Sequence, residues 1–247
     1  MSMTEKIDSM RIAGRILSNT FDHISCEIQE GITALVVDQL VKDFIESNGA
    51  SPGFLGYQGY KYSSCISKNE EIVHGIPYAD KVFFDGDIVS IDIGVKYNGY
   101  YADAARTFLI GNVSEEARFL AQVTQDSFFK GMEGIKAGSR LGDISHAIQS
   151  HIESNGLTVV RDLYSHGVGQ SLHEEPLIPN YGKKGAGMKL YEGMTMAIEP
   201  MVNLGVPGIE TLDDDWTIVT KDRKWSAHYE NTILITSKGV EILTITG

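Results

Sequence analysis

The chain has 247 residues, 42% of them hydrophobic and 22% charged, with a formal net charge of −12. That length can bury a full core as one large domain or two small ones, and the balance is that of an ordinary globular protein. The acidic charge and the lack of a local basic cluster argue against nucleic-acid binding, and no apolar run approaches the roughly 18–20 residues of a membrane span.

Thr4 precedes a helical pattern with Ile7, Met10, Ala13 or Gly14, and Leu17 on one side. Thr33 is expected to cap a second helix whose apolar face is Val37, Leu40, Val41, Phe44 and Ile45, ending at Asn48-Gly49. The stretch from Asp85 to Phe108 follows. Asn98-Gly99 between two β-rich runs signals a hairpin, because a type I′ turn needs positive φ at both central residues. With a two-residue loop, Tyr97 faces Tyr100, Gly94 faces Asp103 and Asp92 faces Ala105. Side chains alternate, so Ser90, Asp92 and Gly94 share a face with Tyr101, Asp103 and Ala105, while Val89, Ile91, Ile93 and Val95 form a core face. The two acids become diagonal neighbours roughly 7–8 Å apart at Cα. Such a pair repels unless a cation lies between them, and Gly94 is expected to leave room for it. Mid-strand acids backed by an aliphatic face are seldom structural. The first reading is a metal site on a sheet.

Ser114 is expected to cap a third helix through about Met132, and Asp143 a fourth carrying Ile144, Ala147, Ile148 and Ile152. The second and fourth helices close with the same five residues, Ile45–Gly49 and Ile152–Gly156. With the recurring order of two helices then strands, this suggests one domain of two related halves, about 1–111 and 112–247, with a cleft between them. Strands are expected over Leu157–Leu163 and Met194–Ile198, the latter stopped by Pro200. Trp216–Thr220 and Lys224–Thr236 read as a hairpin around Lys221-Asp222-Arg223.

The run from His166 to Pro176 holds two of the seven histidines, His166 and His173. It is not a zincin motif, and Gly167 with Gly169 gives only half of a dinucleotide fingerprint. Those glycines permit close backbone approach and an irregular loop that aims both imidazoles. Glu199, at a strand end, is unremarkable alone. Glu230 sits inside a β-run on the face of His228, Thr232 and Leu234, and is the stronger candidate. His74 lies on a turn-like segment. Cys26 and Cys65 form no metal-type pair, so reduced thiols and a cytoplasmic location are expected. The N-terminus has no apolar signal core.

Asp92, Asp103, the His166–Pro176 motif, Ile198-Glu199-Pro200 and the late Glu230 together resemble the type I methionine aminopeptidases, in their short bacterial-type form, over essentially the whole chain. The resemblance implies an α+β "pita-bread" fold, two pseudo-symmetric halves around a curved antiparallel sheet covered by helices. It implies that Asp92 chelates one metal, Asp103 and Glu230 bridge two, and His166 and Glu199 complete the other coordination sphere. Such a hard, oxygen-rich set suits Mn²⁺, Fe²⁺ or Co²⁺ and tolerates Zn²⁺. The implied reaction removes the N-terminal methionine of nascent polypeptides whose second residue is small, through a hydroxide shared by the two ions. Glu199 would carry the proton, His173 would stabilise the oxyanion, and His74 would contact the scissile amide.

By the same resemblance Tyr57, Tyr60, Cys65 and Trp216 wall the methionine pocket. Phe54 stands where bacterial relatives often carry cysteine, Leu172 where many have phenylalanine, and Ser165 replaces a glycine. Phe54 and Leu172 are expected to offset each other in volume. A monovalent cation near Asn69 and Ser226, a monomer, transient ribosome proximity, and no nucleic-acid or membrane binding complete the implied picture. The chain's own Met1-Ser2 start should be a substrate. The rivals are an X-Pro aminopeptidase or prolidase, which carries a large extra N-terminal domain, and a non-catalytic binding protein, which would be expected to lose ligands or His173.

Overall fold

Two helix pairs carry the apolar periodicity, and each covers β-structure in the computed structural model, which describes residues 3–245. Met1-Ser2 lies outside those residues. Helix α1 (Met3–Ser25) includes Thr4 in its first turn rather than as a cap, and buries Met10, Ala13, Gly14 and Leu17, then Phe21 and Ile24. Helix α2 (Ala34–Ser47) is capped as expected: the Thr33 hydroxyl accepts the Val36 N–H at 3.3 Å. Helix α3 (Glu115–Met132) is capped by Ser114, whose hydroxyl accepts the Ala117 N–H at 3.1 Å.

Helix α4 (Leu141–Ser154) corrects the expectation for Asp143. Arg140 is the cap, and Asp143 reaches back from the third helical position to accept the Arg140 N–H at 2.8 Å. The helix starts earlier because a later loop supplies carbonyls to its first free donors: Leu141 N–H bonds the Met188 carbonyl and Gly142 N–H bonds the Ala186 carbonyl. Both pairs stop alike. Asn48 (φ −93°, ψ 12°) and Asn155 (φ −91°, ψ 8°) are followed by Gly49 and Gly156 at φ 73° and 75°. Only glycine adopts that left-handed turn without Cβ strain.

The first half holds β1 (Ser51–Pro52), β2 (Ser64–Lys68), β3 (Glu71–Val73), β4 (Ile88–Tyr97) and β5 (Tyr100–Leu109). The hairpin β4–β5 has the expected register without interruption, Tyr97 opposite Tyr100, Gly94 opposite Asp103 and Asp92 opposite Ala105. Asn98 and Gly99 lie at φ 49° and 82°, as a type I′ turn requires. β2 and β1 line the other edge of β4, with Cys65 opposite Asp92. Val89, Ile91, Ile93 and Val95 are fully buried in one cluster with Leu17, Val37, Val41 and Ile45 of α1 and α2. This is the core face that the alternation required.

The second half is cut into short pieces: β6 (Thr158–Val159), β7 (Tyr164–Gly167), β8 (Glu174–Pro179), β9 (Thr195–Ile198), β10 (Met201–Asn203), β11 (Ile209–Thr211), β12 (Ile218–Thr220), β13 (Ser226–His228), β14 (Asn231–Ile235) and β15 (Val240–Ile242). Five of them form a sheet in the order β15-β14-β9-β7-β8. The strand expected over Leu157–Leu163 shrinks to β6, two residues paired with β10. The hairpin expected around Lys221-Asp222-Arg223 does not form. β12 pairs with β11 and β3, β13 with β10, and β14 with β9 and β15. The long run breaks at Tyr229-Glu230. There Tyr229 N–H goes to Pro200, and Glu230 exchanges both backbone hydrogen bonds with Ala105 of β5.

Candidate metal centre and adjoining pocket

The ladder between Glu230 and Ala105 draws the two halves together at the acids. Asp103 is tied in the same way, its N–H donating to the Thr232 hydroxyl at 2.8 Å and its carbonyl accepting from that hydroxyl at 2.9 Å. Arg106 reinforces the seam by donating to the carbonyls of Ala105 (2.8 Å) and Glu230 (2.5 Å), with its guanidinium 4.6 Å from the Tyr229 ring. Alternation on β4 and β5 then turns Asp92 and Asp103 toward residues of the second half.

Each second-half candidate sits where a strand is interrupted. A β-bulge follows His166, and a side chain at Gly167 would run into the Glu175 carbonyl. His166 Nδ1–H donates to the Gly167 carbonyl at 2.9 Å, which leaves the Nε2 lone pair for the cavity. Glu199 follows β9 directly. Its N–H donates to the Ser165 hydroxyl, its carbonyl accepts from Asn180 Nδ2, and Ser165 donates to Asn180 Oδ1, each at 2.9 Å. The serine that departs from the glycine of the resemblance thus closes a three-bond clamp on the Glu199 main chain. Glu230 occupies the break between β13 and β14.

These residues converge. Ligand-type atoms of Asp103, His166 and Glu230 lie within 4.8 Å of one another, and His166 Nε2 is 3.5 Å from Glu199 Oε1. Asp92 Oδ1, Asp103 Oδ1 and Glu230 Oε1 are buried without a hydrogen-bond partner among the described residues. Burial pushes all four carboxyls up, Asp92 to about 7, and neighbouring carboxylates add to the rise at Asp103, Glu199 and Glu230. Orphaned oxygens in a cluster of like charge fit a set awaiting cations, and the oxygen-rich donors fit hard or borderline divalent ions. Burial lowers His166 to about 3 and His74 to about 4, with the neighbouring His173 adding to each, so both rings are neutral. His173, at the rim, is pushed down by its partial burial and hydrogen-bonds the Tyr57 hydroxyl at 2.9 Å.

Beside this floor lies a cavity of about 370 Å³. Its apolar wall packs Phe54, Tyr60, Cys65, Ile76 and Leu172 with Tyr57 and Trp216. Tyr60 meets Trp216 edge-on at 4.8 Å, and burial, then Asp92, keeps the Cys65 thiol protonated. Phe54 and Leu172 share this one cluster. The space at Gly94, expected for a cation, belongs to Phe54 instead: a Cβ at Gly94 would lie 2.6 Å from the Phe54 ring. Asn69 and Ser226 are joined by a backbone hydrogen bond of 2.9 Å.

All thirteen residues singled out for chemistry or specificity therefore meet in one place. Tyr164 and Leu177, exposed at the mouth, were not among them. The period-two rule could have found Tyr164, two residues before His166 on β7, whereas Leu177 needs the pairing that sets it opposite His166. Ser165 and Asn180 carry no signal of their clamp, because their partner is a main chain.

The chain matches the description Metallopeptidase family M24 over residues 8–237. It is 50% identical over 240 residues to the methionine aminopeptidase of Clostridium perfringens, covering 97% of this chain and 96% of that one. Its structure superposes on crystalline methionine aminopeptidase from Thermotoga maritima with a TM-score of 0.96 at 47% identity, covering 98% and 97% of the two chains. Prolidase from Pyrococcus furiosus is more distant, at 27% identity and a TM-score of 0.78, and this chain spans only 64% of it. The fold is the pita-bread architecture shared by these structures. The chain belongs to metallopeptidase family M24, on its methionine aminopeptidase branch.

Proposed function

We propose that the protein removes the N-terminal methionine from polypeptides, with Asp92, Asp103, His166, Glu199 and Glu230 holding two divalent ions. One observation carries the reading: a carboxylate–imidazole floor adjoins a closed aromatic and thiol wall within a single cavity. Ions held there, Mn²⁺, Fe²⁺, Co²⁺ or Zn²⁺, supply a water that ionises near neutrality and a Lewis acid for the peptide carbonyl.

The protein's own groups do the rest. Glu199 takes the proton of the attacking water and returns it to the leaving amine, and the clamp on its main chain keeps the carboxyl in reach. With the Tyr57 hydroxyl donating to its Nδ1, His173 keeps Nε2–H for the carbonyl oxygen as that oxygen gains charge. His74, neutral, contacts the scissile amide. The methionine thioether lies among Tyr57, Tyr60, Trp216, Cys65, Phe54 and Leu172, where sulfur meets aromatic faces. The free α-amine of the substrate would add one more ligand at this centre, which limits removal to one residue. The reading includes a small second residue, nascent chains near the ribosome as substrates, a cytoplasmic monomer, and a monovalent cation beside Asn69 and Ser226.

The test is methionine release from Met-Ala-Ser, Met-Lys-Ser and Ala-Pro-Ser, each with Mn²⁺ or Co²⁺ and with chelator. Chelator-sensitive cleavage of Met-Ala-Ser alone is expected. Cleavage of Ala-Pro-Ser instead would move the protein to the proline-specific activity named for its more distant relatives. No turnover with two metals bound would favour a binding protein.

A further inference from the structure

The centre contains a fourth imidazole to which the reaction above gives no part. His228 ends β13, two residues before Glu230 and on the same face, and its β10 partner Met201 stands two residues after Glu199. Its main chain is fixed by Ser90 and Thr107: the His228 N–H lies 3.3 and 3.2 Å from their hydroxyls, and Thr107 donates to the His228 carbonyl at 2.9 Å. The residue is 1% exposed, yet among the described residues its Nε2 has no hydrogen-bond partner. A polar atom left so in a protein interior is costly unless it serves something.

What Nε2 faces is specific. It lies 3.7 Å from Glu199 Oε2 and 3.8 Å from Glu230 Oε2. His166 on the opposite side of Glu199 shows the same pattern, 3.5 Å from Glu199 Oε1 and 3.9 Å from Asp103 Oδ2. Glu199 therefore stands between two imidazoles, one oxygen toward each. The two rings differ in access: His166 lines the cavity, whereas His228 lies behind the glutamates and does not. A ring in that position cannot reach substrate and is aimed at the carboxylates themselves. Arg106, the nearby cation, is occupied with the main-chain carbonyls of Ala105, Glu230 and Thr244 and the side chain of Asn231.

We infer that His228 is a positioning residue of the metal centre, its Nε2 set beside Glu199 and Glu230 as the donor that closes on these carboxylates and keeps them in ligating orientation when metal is bound. Ligating carboxylates are commonly oriented by such outer donors, whose loss costs about 10–100-fold in metal affinity. The inference rests on the ligand assignment proposed above. Paired amide variants of the full chain separate the donor from the bulk. His228→Gln places an amide N–H₂ near the Nε2 position, and His228→Asn keeps a polar amide but withdraws it.

Mn²⁺ binding is measured by titration calorimetry, and the visible spectrum of the Co²⁺ forms is recorded beside it. His228→Asn should bind Mn²⁺ about 10–100-fold more weakly and alter the Co²⁺ spectrum, and His228→Gln should recover most of the affinity. Wild-type affinity in His228→Asn would overturn the inference. So would equal losses in both variants when their metal-free forms melt like the wild type. Asp103→Asn serves as the control for the ligand assignment: if it binds Mn²⁺ as the wild type does, that assignment fails and this inference with it. If Asp103→Asn loses metal while His228→Asn does not, only the role of His228 falls.

Discussion

The two halves supply the centre in opposite ways. The first half delivers Asp92 and Asp103 on one uninterrupted hairpin of two ten-residue strands, where alternation alone decides which way each carboxyl points. The second half delivers His166, Glu199 and Glu230 from strands of three to five residues, each at a bulge, a strand end or a break. Regular structure aims a side chain by its own geometry. A broken strand needs side chains elsewhere to hold its main chain, and here those are Ser165, Asn180 and Arg106. The aim of the two acids in the first arrangement should therefore survive changes elsewhere in its hairpin, and the aim of the second arrangement's side chains should not survive loss of the groups that hold its main chain.

The largest effect tests what the halves share. Asp103→Asn, from the first, and Glu230→Gln, from the second, should each lower kcat/KM by more than about a thousandfold, as removal of one member of a catalytic unit does. Metal content should fall in both. Chelation of the wild type should lower its Tm, since ions that bind only the folded state stabilise it. A Tm unchanged by chelator and by added Mn²⁺ would mean that the acids cluster for some other purpose.

His173→Ala should cost about 10²–10³ in kcat with little change in KM or metal content, the signature of a donor used in the transition state. A change confined to KM would assign His173 to binding instead.

The comparison itself is sharpened by Ser165→Ala. That substitution leaves the half-buried Glu199 N–H without its Ser165 acceptor, at a cost of about 1–3 kcal/mol in urea unfolding. Activity should fall beyond what stability explains, because the clamp orients Glu199. In the hairpin, Gly94→Ala should push against Phe54, cost about 1–3 kcal/mol, and raise KM for methionyl peptides while leaving metal affinity unchanged. Smallest of all, Gly99→Ala at φ 82° should lower stability by about 1 kcal/mol and leave kcat alone. If Gly99→Ala altered kcat as strongly as Ser165→Ala, the contrast between the halves would collapse.

Much of this is legible in the sequence alone. Thr33 and Ser114 cap their helices as read, the Asn-Gly stops recur, and the hairpin register follows from a two-residue turn. All of these are local: a side chain and a main-chain donor three residues apart, or a period of two along one strand. Asp143 is not the cap because the carbonyls that extend α4, those of Ala186 and Met188, come from a loop far along the chain. The run Lys224–Thr236 looked continuous because its break is imposed by Pro200 and Ala105, not by a residue within it.

The sequence by itself determined the helices, the hairpin and the chemical types at the centre, because caps, turns and alternation act within a few residues. It also held enough spaced acids and histidines to suggest the family. Only the tertiary structure decided that Gly94 makes room for a ring rather than a cation, that Ser165 clamps Glu199, and that His228 faces two carboxylates. Those outcomes depend on contacts between residues far apart in the chain, and long-range pairing leaves no period in the sequence from which to read it.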